Sequence, residues 1–308
     1  MDPLRIVYAG SPSAAVPSLR ALLAGPHEVI AVVTREDSPQ GRKRVLTPTP
    51  IAELAEGAGV RVVKANRLGP VTDELLALRP DLGVVVAYGG LIREPLLSGP
   101  RLGWINLHFS LLPRWRGAAP VQRAVMAGDR ETGAAVFQLV PELDAGPVLG
   151  LQRRSIGGRQ TAGRLLEAQA EEGAELLVDV VDRLAAGTAT AVPQKGEVTL
   201  APKLTIDDAR VVWSAPADAV DAQIRGVTPE PGAFTELDGE RLKILDAVPA
   251  RGMGPLAPGR LELRAGRLLV GTAGEPIELV LVQPAGRRAM SAADWWRGRP
   301  ADASAQAS

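Results

Sequence analysis

The sequence DLGVVVAYGG at residues 81–90 decides the fold class, because its apolar run is unbroken where a half-exposed strand would alternate. Runs of this kind are typical of strands covered on both faces, as in parallel sheets. Further apolar runs are LRIVYAG at 4–10, EVIAVVT at 28–34, VRVVKA at 60–65 and GWINLH at 103–108. We therefore predict five buried strands within the first 110 or so residues, in line with usual strand lengths.

Helical patterns separate these runs. Val16, Leu19 and Leu22 have helical spacing, Thr49-Pro50 is a typical helix start, and residues 70–78 form a further candidate helix. Alternating strands and helices predict an α/β fold, a Rossmann-like doubly wound and mostly parallel sheet that binds its ligand beyond the carboxyl ends of the strands. The first turn, AGSPSAA, has one glycine where a dinucleotide fingerprint has three, so no NAD site is predicted.

The second half of the chain changes character. Strands at 134–139 and 148–155 are followed by a long helix capped by Thr161, and we predict that this first domain spans residues 1–187. Residues 188–205 are rich in small residues and proline and are predicted to be a linker. Short β-rich pieces follow at 206–308, and their spacing predicts a small OB-like β-barrel domain.

Composition limits the chemistry. Lys+Arg and Asp+Glu both number 35, so a nucleic-acid partner would have to be held by a local patch. The chain has no cysteine and two histidines, so we predict no metal site. A secretory signal is not recognised, and no apolar run approaches the roughly 20 residues of a membrane helix. We expect a cytoplasmic protein without a membrane partner.

Asn106 and His108 lie two residues apart on the fifth predicted strand, so their side chains share one face. At the end of a buried strand both would project into the ligand crevice, where an amide and an imidazole could hold the oxyanion of a tetrahedral intermediate. The alternative is that nearby backbone groups satisfy both side chains. The adjoining loop favours the functional interpretation.

That loop, FSLLPRWRGAAP at 109–120, combines leucines, proline and tryptophan with two arginines. Solvent-facing loops rarely join apolar bulk to positive charge without a ligand, and the combination suits a flat aromatic ligand with an acidic tail. A loop that docks on the core through Leu111 and Leu112 is the alternative. It explains the leucines but not the arginines.

Longer motifs carry a family resemblance. INLHFSLLP at 105–113, RWRGAAPVQRAVMAGDRETG at 114–133 and LDAGPVL at 143–149 resemble the formyltetrahydrofolate-dependent formyltransferases. The resemblance extends through TREDSPQGRKRVLTPTPI at 34–51 and VQPAGRRAMSAADWW at 282–296. It implies a Rossmann-like formyltransferase domain followed by an OB-like tRNA-binding barrel.

The resemblance also implies a reaction and its residues. The donor would be 10-formyltetrahydrofolate, and the acceptor the α-amine of methionyl initiator tRNA. Asn106 and His108 would stabilise the oxyanion, while Asp144 would handle the proton and orient His108. From the residues alone, Asp144 before Ala145-Gly146 is equally consistent with a simple turn. The reduced folate would contact four consecutive residues: Ser110, Leu111, Leu112 and Pro113.

A basic excursion at residues 35–49 separates the second strand from its helix, where two to six residues would be ordinary. Arg42, Lys43 and Arg44 lie beside Gly41 and fit a mobile arm that meets nucleic-acid phosphates. A solvated basic turn is the alternative. The resemblance implies that the arm reaches the acceptor end of the tRNA.

Rival functions remain within the same superfamily. Enzymes that formylate a nucleotide precursor or an amino sugar, or that hydrolyse formyl folate, would share Asn106, His108 and Asp144. The basic excursion and the C-terminal barrel favour a tRNA substrate. A catalytically silent RNA-binding protein would be expected to have lost one of the three polar residues, and none is lost here. We expect the enzyme to be a monomer.

Overall fold

The computed structural model describes residues 2–41, 43–300 and 304–307. Its contacts divide the chain into two compact units. The N-terminal unit contains the chain up to Pro120 together with Glu131–Ser155 and Leu166–Ala201, and the remainder forms the C-terminal unit. Residues 121–130 and 156–165 thus group with the C-terminal unit. The domain limits at 187 and 206 stay predictions.

A seven-stranded sheet organises the N-terminal unit, in the order β10-β9-β7-β6-β1-β2-β5. The five neighbouring strands β7, β6, β1, β2 and β5 are parallel to one another. β9 and β10 add an antiparallel edge beside β7. The predicted parallel-dominated α/β class is confirmed. The strands of the unit are β1 (Arg5–Gly10), β2 (Glu28–Thr34), β3 (Ser38–Gln40), β4 (Val45–Thr47), β5 (Val62–Lys64), β6 (Leu82–Val86), β7 (Trp104–His108), β8 (Arg116–Gly117), β9 (Glu131–Gln138), β10 (Val148–Ser155) and β11 (Leu200–Ala201).

Helices start where the sequence provides caps. The hydroxyl of Thr49 accepts a hydrogen bond of 3.1 Å from the amide of Ala52, as expected of an N-cap, and Pro50 occupies the first turn. The helices up to residue 201 are α1 (Val16–Ala24), α2 (Pro50–Gly57), α3 (Thr72–Ala77), α4 (Pro120–Met126) and α5 (Ala162–Ala185).

Helix α5 covers one face of β7. A Cβ added at Gly173 would lie 3.1 Å from Leu107 Cδ2 and 3.5 Å from the Phe109 ring, so helix and strand pack closely there. Side chains alternate along a strand, and Asn106 and His108 therefore project from the opposite face.

Two predicted segments differ in detail. The fourth strand ends at Val86 because Ala87 has a φ of 49°, a left-handed conformation that breaks the extended chain. The basic excursion contains a hairpin, in which β3 and β4 pair antiparallel with Ser38 opposite Thr47. Its sequence, SPQGRKRVLT, is mostly polar or charged and lacks the alternation by which a strand is recognised.

The C-terminal unit is built on a six-stranded antiparallel sheet, in the order β12-β13-β16-β15-β14 with β17 beside β16. This arrangement is consistent with the predicted small barrel. Its core includes Trp213, Phe234, Leu268 and Val282. The elements are α6 (Ala217–Gly226), β12 (Phe234–Leu237), β13 (Glu240–Pro249), β14 (Leu261–Arg264), β15 (Arg267–Val270), β16 (Ile277–Pro284), β17 (Met290–Ser291) and α7 (Ala292–Arg297).

Two features are absent from the residues that the structure describes. None of their helices is long and apolar enough to cross a membrane. They also contain no group of three or more His, Asp or Glu side chains that could hold a metal ion.

Candidate active site

The strand order defines a ligand crevice. β2 and β5 lie on one side of β1, whereas β6 and β7 lie on the other, so the direction of winding reverses between β1 and β6. Open α/β sheets bind ligands beyond the carboxyl ends of the strands at such a reversal. β7 is the next strand after β6, and its last residue is His108. The crevice is thus expected where Asn106 and His108 were predicted to act.

Asn106 is half-buried near the end of β7, where it lies opposite Val85 on one neighbouring strand and Phe137 on the other. Its side-chain amide makes no hydrogen bond to any other described residue. Buried or half-buried amides usually have partners. An unengaged amide at a strand end can therefore donate to a ligand oxygen.

His108 is almost fully buried, with 6% of its surface exposed, and its ring meets Phe137 edge-on at 6.3 Å. Its Nε2 lies 2.8 Å from the carbonyl oxygen of Trp115. A carbonyl only accepts hydrogen bonds, so Nε2 carries the proton in the neutral ring. Nδ1 then presents a lone pair, and the nearest carboxylate oxygen, Oδ2 of Asp144, is 3.8 Å away.

The electrostatic surroundings of His108 favour its neutral form. Burial lowers the pKa of His108, while the charge of Asp144 and the hydrogen bond to Trp115 oppose this shift without cancelling it. Desolvation disfavours a charged imidazole, whereas a nearby carboxylate stabilises it. The result is a neutral imidazole with an available acceptor nitrogen.

Asp144 occupies a turn and also faces the histidine. Its φ of 45° and the bond from the amide of Ala145 to the carbonyl of Glu142 mark the turn. Its carboxylate oxygen Oδ2 accepts a hydrogen bond of 2.7 Å from the amide of Gly117. The turn interpretation and the close approach to His108 therefore both describe this residue.

The loop after β7 is held by its own side chains. The hydroxyl of Ser110 is fully buried and donates to the carbonyl of Arg114 at 2.6 Å. Leu112 packs against Ala135 and Phe137, as the core-docking alternative expects, while Leu111 is half-buried. Ser110 and Leu112 thus shape the loop through buried contacts. A folate contact along residues 110–113 stays a prediction.

Residues from the predicted linker reach this site, and sequence reasoning missed them. Gln194 donates to the carbonyl oxygens of Asp144 and Gly146, at 2.8 Å each. The hydroxyl of Thr199 accepts a bond of 2.9 Å from the amide of Trp115, and β11 pairs with β8. Small residues and prolines dominate this segment, so neither period nor motif indicates these contacts.

The basic arm is exposed where the structure describes it. Lys43 and Arg44 lie in the turn between β3 and β4, and Arg44 has a φ of 50°. Val45 and Leu46 beside them are 59% and 67% exposed, which is unusual for large apolar side chains. Arg42, the first residue predicted to bind tRNA, lies outside the described residues.

Comparison with known proteins shows the family. Residues 4–181 match the formyl transferase family model, and residues 203–300 match the model of the formyl transferase C-terminal domain. The chain belongs to the formyl transferase family and is a formyltransferase. One similar protein is the methionyl-tRNA formyltransferase of Leifsonia xyli subsp. xyli, which is 61% identical over 97% of this chain and 99% of that protein. Another is the methionyl-tRNA formyltransferase of Clavibacter sepedonicus, which is 59% identical over 96% of this chain and 97% of that protein. The family resemblance is confirmed.

Solved structures share the fold at low identity. WlaRD, a sugar 3N-formyl transferase solved with dTDP and 5-N-formyl-THF, has a TM-score of 0.70 at 16% identity and covers 94% of this chain and all of its own. The N-formyltransferase of Helicobacter canadensis, solved with folinic acid and dTDP-3-aminofucose, has a TM-score of 0.71 at 16% identity, covering 91% and 99%. These neighbours support the formyltransferase fold.

Proposed function

We propose that this enzyme transfers the formyl group of 10-formyltetrahydrofolate to the α-amine of methionyl initiator tRNA, giving N-formylmethionyl-tRNA. One observation carries the proposal: the unengaged Asn106 amide shares a face with a neutral histidine whose Nδ1 faces a carboxylate at 3.8 Å. Relatives that match nearly the whole chain are named methionyl-tRNA formyltransferases, which supports the choice of acceptor.

The reaction needs a proton acceptor and an oxyanion donor. The amine nitrogen forms a bond to the formyl carbon, and the carbonyl oxygen becomes an oxyanion. The bond from that carbon to folate N10 then breaks. One proton leaves the attacking amine and one is delivered to N10, so the proton count balances and no redox step occurs. Reference α-amines have pKa values near 8, so a neutral amine is readily accessible at neutral pH.

His108 and Asp144 are suited to the proton transfers. With Nε2 donating to the Trp115 carbonyl, Nδ1 of the neutral ring can accept the amine proton. The imidazolium that results would be stabilised by Asp144 Oδ2, and it can return the proton to N10. This assignment gives His108 the role of general base and then general acid. A hydrogen bond from Nδ1–H to the oxyanion is possible only after that protonation.

Asn106 is the group best suited to the oxyanion. Its amide donor needs no change of protonation, and the backbone that carries it is held in β7 between two neighbouring strands. Preorganised donors of this kind stabilise developing charge because they need little reorganisation during the reaction. We assign the main oxyanion contact to Asn106, with protonated His108 as the second donor.

The loop after β7 is suited to the folate. It presents half-buried Leu111 and Trp115 beside the exposed Arg114, whose guanidinium lies 5.4 Å from the Trp115 ring centre. Apolar and aromatic side chains suit a flat ring system, and a guanidinium suits a carboxylate tail. We propose that Leu111, Leu112 and Pro113 shape this pocket and that Ser110 closes the loop.

The arm is proposed to contact tRNA. Lys43 and Arg44 are exposed, and the chain as a whole has no net charge that would attract nucleic acid. A local cluster with Arg42 could neutralise phosphates of the acceptor end. The C-terminal unit, as an OB-like domain, is a second candidate for tRNA contact by analogy of fold.

Competing acceptors test the proposal directly. The enzyme is incubated with formyl-labelled 10-formyltetrahydrofolate and, in separate reactions, methionyl-tRNA, a dTDP-linked amino sugar or buffer alone. We expect the label on methionyl-tRNA at a rate far above the other two. Preferred labelling of the sugar, or release of free formate, would overturn the proposal.

A further inference from the structure

Gln194 lies in the segment after α5 and contacts the turn that carries Asp144. We propose that the side-chain amide of Gln194 is a positioning group that holds Asp144 where its carboxylate acts on His108. This inference rests on the function proposed above, because it concerns the same reaction.

Two donated hydrogen bonds attach Gln194 to the turn. Its Nε2 lies 2.8 Å from the carbonyl oxygen of Asp144 and 2.8 Å from that of Gly146. One amide group thereby binds two carbonyls of the same turn, on either side of Ala145. The two contacts fix both the position and the tilt of the backbone that carries the Asp144 side chain.

The turn needs such a contact because of its backbone conformation. Asp144 has a φ of 45°, a left-handed conformation that is unfavourable for residues with a Cβ. Gly146 is enclosed as well, since a Cβ there would lie 1.7 Å from the carbonyl oxygen of Gln138. The two bonds from Gln194 stabilise the backbone in this conformation.

The orientation of the Gln194 amide is set by Arg116. The guanidinium donates to Oε1 of Gln194 from Nη2 at 2.6 Å and from Nε at 3.2 Å. Because Oε1 accepts these bonds, the NH₂ group must face the carbonyls of the turn. The amide therefore has one satisfied orientation only.

These contacts close a ring of hydrogen bonds. Arg116 binds Gln194, Gln194 binds the backbone of Asp144, and the carboxylate of Asp144 accepts from the amide of Gly117, the residue after Arg116. The ring joins the β8 strand to the 144–146 turn. It defines the position of the carboxylate, whose Oδ2 is 3.8 Å from Nδ1 of His108.

The consequence is kinetic. Displacing a reacting group by about 1 Å can cost about a hundredfold in rate, even when the substitution lies away from the chemistry. Loss of the Gln194 contacts should therefore lower kcat. The KM values for formyl folate and methionyl-tRNA should change little, because Gln194 makes no hydrogen bond to any described residue that is proposed to bind either substrate.

Gln138 offers a matched control. Its Nε2 also donates to two carbonyls, those of Leu102 at 3.2 Å and Trp104 at 3.0 Å, but at the start of β7. Gln194→Ala and Gln138→Ala thus each remove two hydrogen bonds from a side-chain amide to backbone carbonyls, and both residues lie in the N-terminal unit. We expect kcat to fall by about ten- to a hundredfold in Gln194→Ala and to stay within about twofold in Gln138→Ala.

The pH profile separates positioning from simple stability. A displaced carboxylate supports the protonated imidazole less, so the acid limb of the kcat profile should move to lower pH in Gln194→Ala. Gln138→Ala should leave that limb in place. A Gln194→Ala enzyme with the activity and pH profile of Gln138→Ala would overturn the proposal.

Gln194→Glu covers the case in which the alanine variant fails to fold. Glutamate keeps the length and the acceptor for Arg116 but cannot donate to the two carbonyls at neutral pH. Full activity in Gln194→Glu would overturn the positioning role, and a fall in kcat with the shifted limb would support it.

Wild-type enzyme in the same assay tests the proposed reaction separately. If it formylates methionyl-tRNA while the variants do too, only the positioning role fails.

Discussion

At the residue scale, the chemistry depends on which nitrogen of His108 carries the proton. The Trp115 carbonyl engages Nε2, so the free nitrogen is the one that faces Asp144. Sequence reasoning predicted the three residues but assigned His108 and Asn106 the same oxyanion role. The orientation of the ring, which depends on a carbonyl in the following loop, favours proton transfer as the first role of His108 and leaves the main oxyanion contact to Asn106. Such a contact has no signature in the residue types.

NMR titration of the imidazoles tests this electrostatic account. Burial should place the pKa of His108 below the usual histidine value of about 6.5. Asp144→Asn removes the charge that stabilises the imidazolium, so the pKa should fall further. The chain has only two histidines, and His27, which contacts Leu4 and Asp182, serves as the internal control. A His108 pKa that rises in Asp144→Asn would contradict the account.

Asn106→Ala should separate catalysis from stability. The amide makes no hydrogen bond within the described residues, so the free energy of unfolding should change little. Loss of one oxyanion donor lowers kcat by about a hundred- to a thousandfold in comparable sites. Steady-state kinetics and thermal unfolding check both expectations. Asn66→Ala, which removes an exposed amide bonded to Glu36, is the control. A kcat for Asn106→Ala within a few-fold of wild type would exclude Asn106 as an oxyanion donor.

At the element scale, strands with a strong apolar pattern were predictable. β2 and β10 have the predicted limits, and β7 begins one residue later than predicted. The hairpin of β3 and β4 was not predictable because each strand has only three residues, too few to show a strand pattern, and the pairing depends on the turn between them. β8 and β11, of two residues each, depend on each other across a large sequence separation. Local patterns cannot indicate such pairs.

Gly83→Ala tests the close packing of β6 on β7. A Cβ at Gly83 would lie 2.0 Å from the Trp104 ring, and both residues are buried. Overpacking of this kind typically lowers the free energy of unfolding by about 1–3 kcal/mol. Chemical denaturation measures the change. At Gly57 nothing lies within 4 Å of an added Cβ, so Gly57→Ala should be neutral or slightly stabilising. Equal stability of the two variants would contradict the packing.

The arm is expected to act through charge. Lys43→Ala and Arg44→Ala should each weaken tRNA binding. Each should also lower the slope of log binding constant against log salt concentration by about 1, the value for one lost phosphate contact. The matched control is Arg20→Ala, which removes an exposed arginine on α1. Binding titrations at several salt concentrations provide the measurement. An unchanged salt slope in both arm variants would remove the arm from the tRNA surface.

At the scale of the whole molecule, the site combines segments that are far apart in sequence. Residues 106–117 supply the strand and loop, Asp144 comes from a later turn, and Gln194 comes from the segment predicted as a linker. Residue pattern alone predicted the strand-end pair, and the family resemblance added Asp144. Gln194 was missed because its role depends on tertiary contacts with two backbone carbonyls. Fold and family were therefore more predictable than the support of the site.

The most direct test of the central claim is the single-turnover rate constant for N-formylmethionyl-tRNA formation, measured with wild type and His108→Ala at saturating 10-formyltetrahydrofolate. Single-turnover conditions report the chemical step free of product release. We predict a fall by about a hundred- to ten-thousandfold in His108→Ala, the range typical of a lost general base. A rate constant within a few-fold of wild type, in a variant that folds normally, would contradict the account.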